Sequence, residues 1–324
     1  MASGRRAVAA GNIGAPLLEA VGGEAEVIVA EVSSFQLALT TTFHPPVAAW
    51  LNFSPDHLDW HASEAGYRAA KARLWARSGP GDVAVANAED PVVLAEAAGP
   101  AARGATVVLF GLDSGDVRRR GTALVDAEGV AVAEVGELPR SMPHDLVDAL
   151  CALATATAAG ASREGCRRAL LAFAGLPHRV ELVGEANGVR YYDDSKATTP
   201  GAVLAALDGV RPAVLIAGGR NKGLDLGVLA RGADRVRAVV AIGEAADEVA
   251  AAFDGRVPVR RAGTMADAVA AAGDLAQPGD AVLLSPACAS FDWYASYGER
   301  GEDFARCVRA LVRTLRAEPP AVGR

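Results

Sequence analysis

Lysine is the scarce cation in this sequence of 324 residues. Only three of its 32 basic residues are lysines, namely Lys71, Lys196 and Lys222, and the others are arginines. Asparagine and isoleucine are also rare, which indicates a genome rich in G and C. Where arginine serves at sites that need only a positive charge, the remaining lysines are candidates for chemistry that a guanidinium cannot perform. Chance survival is the alternative explanation.

Other absences exclude whole classes of protein. The four cysteines form no C-x-x-C pair and no metal-binding spacing, which favours reduced thiols over a disulfide framework. No apolar run approaches the roughly 20 residues that cross a membrane, and we expect no secretory leader. The net charge of −7 is unlike that of a nucleic-acid-binding protein. We expect a soluble, cytoplasmic protein that binds neither membrane nor nucleic acid.

The length and the composition are those of a folded protein with two domains. The hydrophobic fraction is 51% and the charged fraction 22%. Short apolar segments, such as residues 26–32 and 47–53, alternate with helical segments, so we predict an α/β fold with a covered parallel sheet. A Gly-Leu-Pro sequence favours a boundary between residues 1–175 and 176–324. The second part alternates strand and helix as an open α/β domain does.

Individual residues predict where one helix begins and where two hairpins turn. Ser63 is a suitable N-cap for a helix over residues 63–77. Residues 121–135 are typical of a hairpin that turns at Glu128 and Gly129, and Asn187-Gly188 is typical of a second hairpin turn.

In the first domain, polar residues follow two apolar strands. Glu31 ends one strand, and residues 54–61 after the next contain two aspartates and two histidines. Oxygen ligands with one imidazole suit Mg²⁺ or Mn²⁺ better than a closed zinc site. Tyr67 and Lys71 share a face of the following helix. The alternatives are that Glu31 and Asp59 cap helices and that Lys71 lies on a solvated helix face.

In the second domain, charged and small residues again follow strands. Arg179 could bind a phosphate or a carboxylate, and residues 192–199 and 218–223 contain Lys196 and Lys222. A glycine-rich loop of this kind can bind an anion, although no G-x-x-x-x-G-K-[ST] sequence occurs. The alternatives are that Thr198 or Thr199 caps a helix and that Cys288 is a spectator thiol.

Together these segments resemble the D-glutamate-adding Mur ligases of peptidoglycan synthesis. The SSFQL, GLPHR, DSKAT and SPACAS segments are specific to that branch. The resemblance implies that ATP phosphorylates the carboxylate of UDP-N-acetylmuramoyl-L-alanine and that the amine of D-glutamate then displaces phosphate. The matching motifs run in family order through residues 11–14, 31–37, 52–59, 67–71, 175–179, 194–198, 285–292 and 300–301.

The resemblance also implies roles for individual residues. Glu31 and His57 resemble ligands of Mg²⁺, and Lys71 resembles a lysine that is carbamylated; Lys71, His57 and Lys196 are thus the expected catalytic residues. The expected contacts to the UDP-linked substrate are Asn12, Ser33 and Gln36, and those to the nucleotide are Asp148, Arg179 and Asp194. The expected D-glutamate pocket consists of Lys196, Thr198, Lys222, Ser290, Phe291 and Tyr297.

The sequence departs from the family pattern in two respects. Family members begin with a UDP-binding domain and a strand with a phosphate loop, which these 324 residues lack. Residues 1–175 are therefore expected to be a central ATP-binding domain without its first strand, and residues 176–324 a Rossmann-like domain that binds D-glutamate. Asp145 and Asp148 replace asparagines, and a carboxylate cannot donate as an amide does. We expect altered nucleotide recognition and an inactive or impaired chain, monomeric in solution.

Two alternatives remain open at the level of sequence. One is a non-catalytic remnant that binds nucleotide or D-glutamate weakly. The other is a Mur-type or folylpolyglutamate-type ligase with a different amino acid substrate.

Overall fold

The computed structural model describes residues 2–317. The chain divides into two compact units, Met1–Ala174 and Gly175–Arg324, which we call the N-terminal unit and the C-terminal unit. Among the described residues, no helix is both long and apolar enough to cross a bilayer. All four cysteines are buried and unpaired, which confirms the expected absence of a disulfide framework.

The N-terminal unit contains two sheets. Strands β1 and β2 form a parallel pair, and the other six strands form a sheet in the order β3-β4-β5-β6-β7-β8. Pairing is parallel from β3 to β6 and antiparallel from β6 to β8, where the predicted hairpin lies. The strands are β1 (Ala7–Gly11), β2 (Val27–Glu31), β3 (Val47–Trp50), β4 (Val83–Asn87), β5 (Thr106–Gly111), β6 (Val117–Arg120), β7 (Ala123–Val125) and β8 (Ala131–Glu134).

Eight α-helices have been assigned in the described part of this unit, and their bounds follow from local capping. The hydroxyl of Ser63 accepts a hydrogen bond from the backbone N–H of Gly66 at 3.0 Å, which confirms the predicted N-cap of α4. The helices are α1 (Leu17–Ala20), α2 (Ser34–Leu39), α3 (Leu58–His61), α4 (Glu64–Ala72), α5 (Pro91–Glu96), α6 (Ala98–Ala102), α7 (Pro143–Ala158) and α8 (Arg163–Ala172).

Helix α4 is shorter than the predicted helix over residues 63–77. It continues as a 3₁₀ turn over Arg73–Trp75, because Trp75 turns into the core. The Trp75 side chain is 1% exposed, and its indole N–H donates to the carbonyl oxygen of Ala48 at 3.0 Å. This anchor fixes the end of the helix on which Tyr67 and Lys71 lie.

The C-terminal unit has one six-stranded sheet in the order β13-β12-β11-β14-β10-β9, in which β9 alone is antiparallel to its neighbour. The strands are β9 (Glu181–Ala186), β10 (Val189–Asp193), β11 (Ala213–Gly218), β12 (Val236–Ile242), β13 (Val259–Ala262) and β14 (Ala281–Leu284). The helices are α9 (Pro200–Gly209), α10 (Ala246–Phe253), α11 (Met265–Leu275) and α12 (Tyr297–Ala317), with a 3₁₀ segment at Leu226–Arg235.

The hairpin between β9 and β10 turns at Asn187 and Gly188, as predicted. Both residues have positive φ, 51° and 75°, which is the conformation that a tight two-residue hairpin requires. The antiparallel edge strand β9 is thereby joined to the parallel sheet.

The four inner strand ends of this sheet lie at one edge. Leu284 of β14 is paired with Asp193 of β10 on one side and with Ile216 of β11 on the other, and Gly218 is paired with Ile242 of β12. The chain leaves the sheet there in four segments, which we call the strand-end loops: residues 194–199, 219–223, 243–245 and 285–291. Open α/β sheets bind their ligands at this edge.

Candidate functional site

In the N-terminal unit, the residues predicted to bind a metal lie around Lys71. The Lys71 ammonium is 5.2 Å from the centroid of the Tyr67 ring. The Tyr67 ring in turn packs against the His57 ring, with 6.3 Å between centroids. Asp56 and Glu31 are close enough to Lys71 to act on its charge. We call these five residues the Lys71 cluster.

The loop before α3 holds His57 in an unusual conformation. His57 has a φ of 54°, in the left-handed region that a residue with a Cβ rarely adopts. The Asp56 carboxylate accepts a hydrogen bond from the backbone N–H of His57 at 2.7 Å and lies 3.3 Å from Nε2 of its ring. The Phe35 ring packs on the imidazole at 4.7 Å. Backbone strain that is held by such contacts is typical of functional sites.

The environment of Lys71 lowers the pKa of its ammonium group. Burial lowers the pKa of the Lys71 ammonium, and the negative charges of Asp56 and Glu31 only partly oppose this shift. Burial also raises the pKa of the neighbouring Tyr67 phenol to about 12, with Asp56 adding to the effect. Lys71 thus loses its proton more readily than a solvated lysine does, whereas Tyr67 remains protonated.

The donors of the Lys71 cluster are of the kind that Mg²⁺ binds, namely carboxylate oxygens with one imidazole. They are nevertheless not a compact ligand set on their own. Among residues 2–317, the group of three His, Cys, Asp or Glu ligand atoms within 4.8 Å of one another is His178, Glu181 and Asp193. The residues therefore fit a magnesium ion only if a further oxygen ligand joins Glu31 and His57.

The residues expected to contact a UDP-linked substrate have structural partners. Asn12 donates its side-chain N–H to Oε1 of Glu31 at 2.8 Å and so orients that carboxylate. Ser33 and Gln36 form a capping box at the start of α2: the Ser33 hydroxyl accepts from the Gln36 backbone, and the Gln36 side-chain oxygen accepts from the Ser33 backbone. Their contact with a substrate stays a prediction. Glu31 itself does not cap α2, which was the alternative reading.

The strand-end loops of the C-terminal unit are bound to one another through their backbones. The N–H of Gly218 donates to the carbonyl of Pro286 at 2.9 Å, and Ala287 donates to Ala197 at 2.9 Å. Arg220 and Ala289 exchange two hydrogen bonds at 2.9 and 3.0 Å. Loops that are far apart in sequence thus form one continuous surface.

The residues predicted to bind D-glutamate lie on these loops or at the start of α12. The Lys196 ammonium lies 4.0 Å from the centroid of the Tyr297 ring, which is close for a cation–π contact. Ser290 is buried, and Phe291 is 62% exposed. Thr198 and Lys222 are half-buried. Thr199, not Thr198, caps α9 by accepting from Ala202.

Two buried aspartates lie at the end of β10. The Asp193 carboxylate contacts Nδ1 of His178 at 2.7 Å and accepts from the backbone of Ser195 at 2.9 Å. Asp194 accepts from the hydroxyl of Ser285 at 2.7 Å. Burial raises the pKa of Asp194 to about 7, and the Ser285 hydrogen bond only partly opposes this. The carboxyl of Asp194 therefore binds its proton more tightly than a solvated aspartate does.

The other residues predicted to contact the nucleotide are accessible. Arg179 is exposed in the C-terminal unit, and Asp148 is exposed on α7 of the N-terminal unit. The Cys288 thiol is buried, and burial raises its pKa to about 12. Cys288 is thus not an activated nucleophile, in agreement with the prediction of a spectator thiol.

Two features of the site were missed at the level of sequence. One is the pairing of His178 with Asp193, and the other is the complete burial of Arg300, which is 1% exposed. Both depend on contacts between distant segments. The only sequence signal was that His178 and Arg300 fall within motifs of the D-glutamate-adding ligases, and that Asp193 directly precedes one.

Eight curated proteins that are similar to this chain share one name. The chain is 46% identical over 323 residues to a UDP-N-acetylmuramoylalanine–D-glutamate ligase of Frankia casuarinae, covering 95% of this chain and 67% of the relative. It is 42% identical to the protein of the same name from Desulfotalea psychrophila, and the match covers 96% of this chain and 69% of that relative. The chain belongs to the Mur ligase family. Members of this family are ATP-dependent ligases that form amide bonds.

Family models agree with the division of this Mur ligase into two units. The Mur ligase middle domain matches residues 12–142, and the Mur ligase glutamate ligase domain matches residues 178–288. Solved structures share the fold at low identity. They include MurF from Thermotoga maritima in complex with ADP, with a TM-score of 0.72 at 17% identity, covering 97% of this chain and 75% of that one. MurF from Acinetobacter baumannii has a TM-score of 0.68 at 20% identity, and the match covers 89% of this chain and 65% of that one.

Gly301 allows α12 to approach the His178–Asp193 pair. A Cβ at this position would lie 2.3 Å from Nδ1 of His178 and 2.5 Å from Oδ2 of Asp193. We expect Gly301→Ala to separate the pair and to lower the free energy of unfolding by roughly 1–3 kcal/mol, measured by urea denaturation. Gly298→Ala on the same helix is the control, because its Cβ would meet nothing closer than 3.6 Å. Equal stability of the two variants would contradict the prediction.

The raised pKa of Asp194, about 7, predicts a pH dependence. Because the folded chain binds this proton more tightly than the unfolded chain, its stabilising effect is full below about pH 4 and is lost as the pH rises to about 7. Relative to wild type, the unfolding free energy of Asp194→Asn should therefore rise over this range, by at most about 4 kcal/mol.

Asp280 is the matched control for this measurement. Its burial is outweighed by hydrogen bonds from Arg237 and from the backbone of Gln277, so the pKa of Asp280 is lowered. Asp280→Asn should show the opposite slope, with its relative stability falling as the pH rises through the acidic range. Parallel curves for the two variants would refute the assignment.

Proposed function

We propose that this chain joins D-glutamate to UDP-N-acetylmuramoyl-L-alanine, using ATP. The observation that carries the proposal is its 46% identity, over 95% of the chain, to a ligase named for that reaction. The local chemistry is consistent with it, since Lys196, Lys222 and Ser290 lie on loops at the carboxyl edge of one sheet.

The proposed reaction has two steps. The carboxylate oxygen of the UDP-linked substrate attacks the γ-phosphorus of ATP, and ADP leaves, which gives an acyl phosphate. The amine nitrogen of D-glutamate then attacks the acyl carbon. The C–O bond to phosphate breaks with its electron pair, and the amine loses a proton, leaving an amide and inorganic phosphate. Both steps bring anions together, so cationic side chains must offset their repulsion.

In the C-terminal unit, we assign the D-glutamate pocket to the strand-end loops and the start of α12. Lys222 and Lys196 provide positive charge for the carboxylates and the transferred phosphoryl group, and Ser290 and Thr198 provide hydroxyls. The Tyr297 ring holds the Lys196 ammonium at 4.0 Å. The exposed Phe291 ring is available to cover the aliphatic part of the substrate.

We assign the nucleotide contacts to Arg179, Asp194 and Asp148. The exposed guanidinium of Arg179 can bind a phosphate bidentately. The carboxyl of Asp194, whose pKa is raised by burial, can accept from a hydroxyl group when ionised and donate to one when protonated. Asp148, a carboxylate where the family has an amide, can accept from an amino group but cannot donate to a ring nitrogen.

We further propose that Lys71 is carbamylated. The neutral amine adds to CO₂ and loses a proton, giving an N-linked carboxylate, and the lowered pKa of Lys71 increases the neutral fraction. The product would repel Glu31 and Asp56 unless a cation were bound. Glu31, His57 and the carbamate of Lys71 would then hold Mg²⁺, with Mn²⁺ as a substitute. That ion, when bound, neutralises phosphoryl and carboxylate oxygens.

The 324 residues contain no phosphate loop of the G-x-x-x-x-G-K-[ST] type. We therefore propose that a polypeptide of only these residues turns over slowly or not at all. The chain spans about two thirds of the length of the curated relatives. Activity is best tested in a form joined to the phosphate-loop region of such a relative, which we call the joined form.

The four cysteine thiols are unpaired, as is usual in a reducing compartment. We propose that the protein is located in the cytoplasm.

Substrate choice tests the proposed reaction directly. In the joined form, ADP release should require UDP-N-acetylmuramoyl-L-alanine and D-glutamate together. L-glutamate, lysine and meso-diaminopimelate should not replace D-glutamate. Release with another amino acid would assign the chain to a different ligase, and binding of D-glutamate without ADP release would indicate a remnant.

The carbamate of Lys71 predicts a specific rescue. Lys71→Ala in the joined form should lose at least about 100-fold in kcat, because a charge-stabilising ligand is removed. Added formate or acetate should restore part of the activity, as measured by ADP release. Lys71→Arg keeps the charge but cannot form the carbamate, so it should be equally inactive. Full activity of either variant would exclude the proposed role.

A further inference from the structure

Arg300 is a buried cation at the start of α12. Its side chain is 1% exposed, and burial lowers its pKa to about 10, so it remains charged at neutral pH. In the part of the chain that the structure describes, Arg300 forms no ion pair within 4.0 Å, and Asp292 and Asp193 act on its charge without such contact. A buried charge without a carboxylate in direct contact requires hydrogen bonds to compensate for its lost hydration.

The hydrogen bonds of Arg300 go to neutral oxygens of two strand-end loops. Nε donates to the hydroxyl oxygen of Ser195 at 2.9 Å, and Nη2 donates to the carbonyl oxygen of Ser195 at 2.8 Å. Nη1 donates to the carbonyl of Cys288 at 3.1 Å. The planar guanidinium thereby joins residues 194–199 to residues 285–291, a geometry that an ammonium group cannot reproduce.

Besides Arg300 itself, a second residue of α12, Tyr297, takes part in this hydrogen-bond network. The Ser195 hydroxyl, which accepts from Arg300, donates to the carbonyl oxygen of Tyr297 at 2.8 Å. The nearby carboxylates have other partners: Asp193 contacts His178 and Ser195, and Asp292 accepts from the backbone of Glu244. The guanidinium of Arg300 therefore donates its hydrogen bonds to loop oxygens and not to these carboxylates.

We propose that Arg300 is a positioning residue that fixes the Lys196 ammonium against the Tyr297 ring. Lys196 is adjacent to Ser195, whose two oxygens Arg300 binds, and Tyr297 accepts from the same serine. Without the guanidinium, both partners of the 4.0 Å contact lose their common anchor. What Lys196 does for the substrate rests on the proposed function, whereas the positioning itself does not.

The scarcity of lysine makes the contact measurable without turnover. With only three lysines, ¹³C-lysine labelling of the chain, carrying no lysine in any tag, gives three lysine Cε signals. The ring current of Tyr297 should move the Lys196 signal upfield, and Tyr297→Leu identifies that signal by removing the shift. We expect Arg300→Gln, which keeps the number of lysines at three, to abolish the upfield shift.

Arg306→Gln is the matched control on the same helix. The Arg306 side chain is 70% exposed and pairs with Asp303, so its loss should leave the Lys196 signal unchanged. If Arg300→Gln does not fold, Ser195→Ala tests the proposal instead. This variant removes the hydroxyl that joins Arg300 to the Tyr297 carbonyl and keeps the buried charge. In folded Ser195→Ala, the upfield shift should be reduced. An unchanged shift in the folded Arg300 or Ser195 variants would overturn the proposal.

A kinetic measurement in the joined form separates this proposal from the proposed function. Arg300→Lys should raise the KM for D-glutamate about tenfold or more, since a charge-assisted contact is misplaced, while the KM for ATP should change little. If the joined form proves to use another amino acid, the NMR shifts still decide the role of Arg300.

Discussion

The parallel pairing of β14 with both β10 and β11 is the constraint on which the C-terminal unit depends. Leu284 lies opposite Asp193 on one side and Ile216 on the other, so the carboxyl ends of the three strands lie at the same edge of the sheet. Side chains from the ends of the unit's sequence, Lys196 near its start and Ser290 near its end, are brought to one edge. The backbone hydrogen bonds between loops then make this edge a single surface.

This edge contains polar groups that a stability-optimised fold would avoid. Asp193, Asp194, Ser285 and Arg300 are all nearly inaccessible to solvent beneath the loops. Buried polar networks fix one arrangement when every member has a partner, and they destabilise the fold when one partner is lost. The C-terminal unit thus combines an apolar sheet, which provides stability, with a polar edge, which provides precise geometry.

Much of the fold could be predicted from the sequence because its signals are local. Apolar segments predicted most strands, Asn187-Gly188 predicted a hairpin turn and Ser63 predicted a cap. Strand β13 (Val259–Ala262) was missed because it carries two exposed arginines at a sheet edge, which masks the apolar pattern.

The site was predictable only to the level of motifs. The three lysines were identified by their rarity and by their position after strands, and two of them lie close to aromatic rings. Contacts between distant segments carry no local signal: Arg300 and Ser195 are 105 residues apart in sequence. Whether an arginine is solvated or buried depends on the assembled fold.

The glycines at the strand ends set a limit on how such a sequence can diverge. A Cβ at Gly218 would lie 1.9 Å from the carbonyl oxygen of Ile242, and one at Gly219 would lie 2.3 Å from that of Ala289. A residue with a Cβ therefore cannot replace glycine at either position without moving the backbone. Changes in substrate preference along a lineage must instead arise at side chains that project past this edge, such as the exposed Arg220 and Phe291.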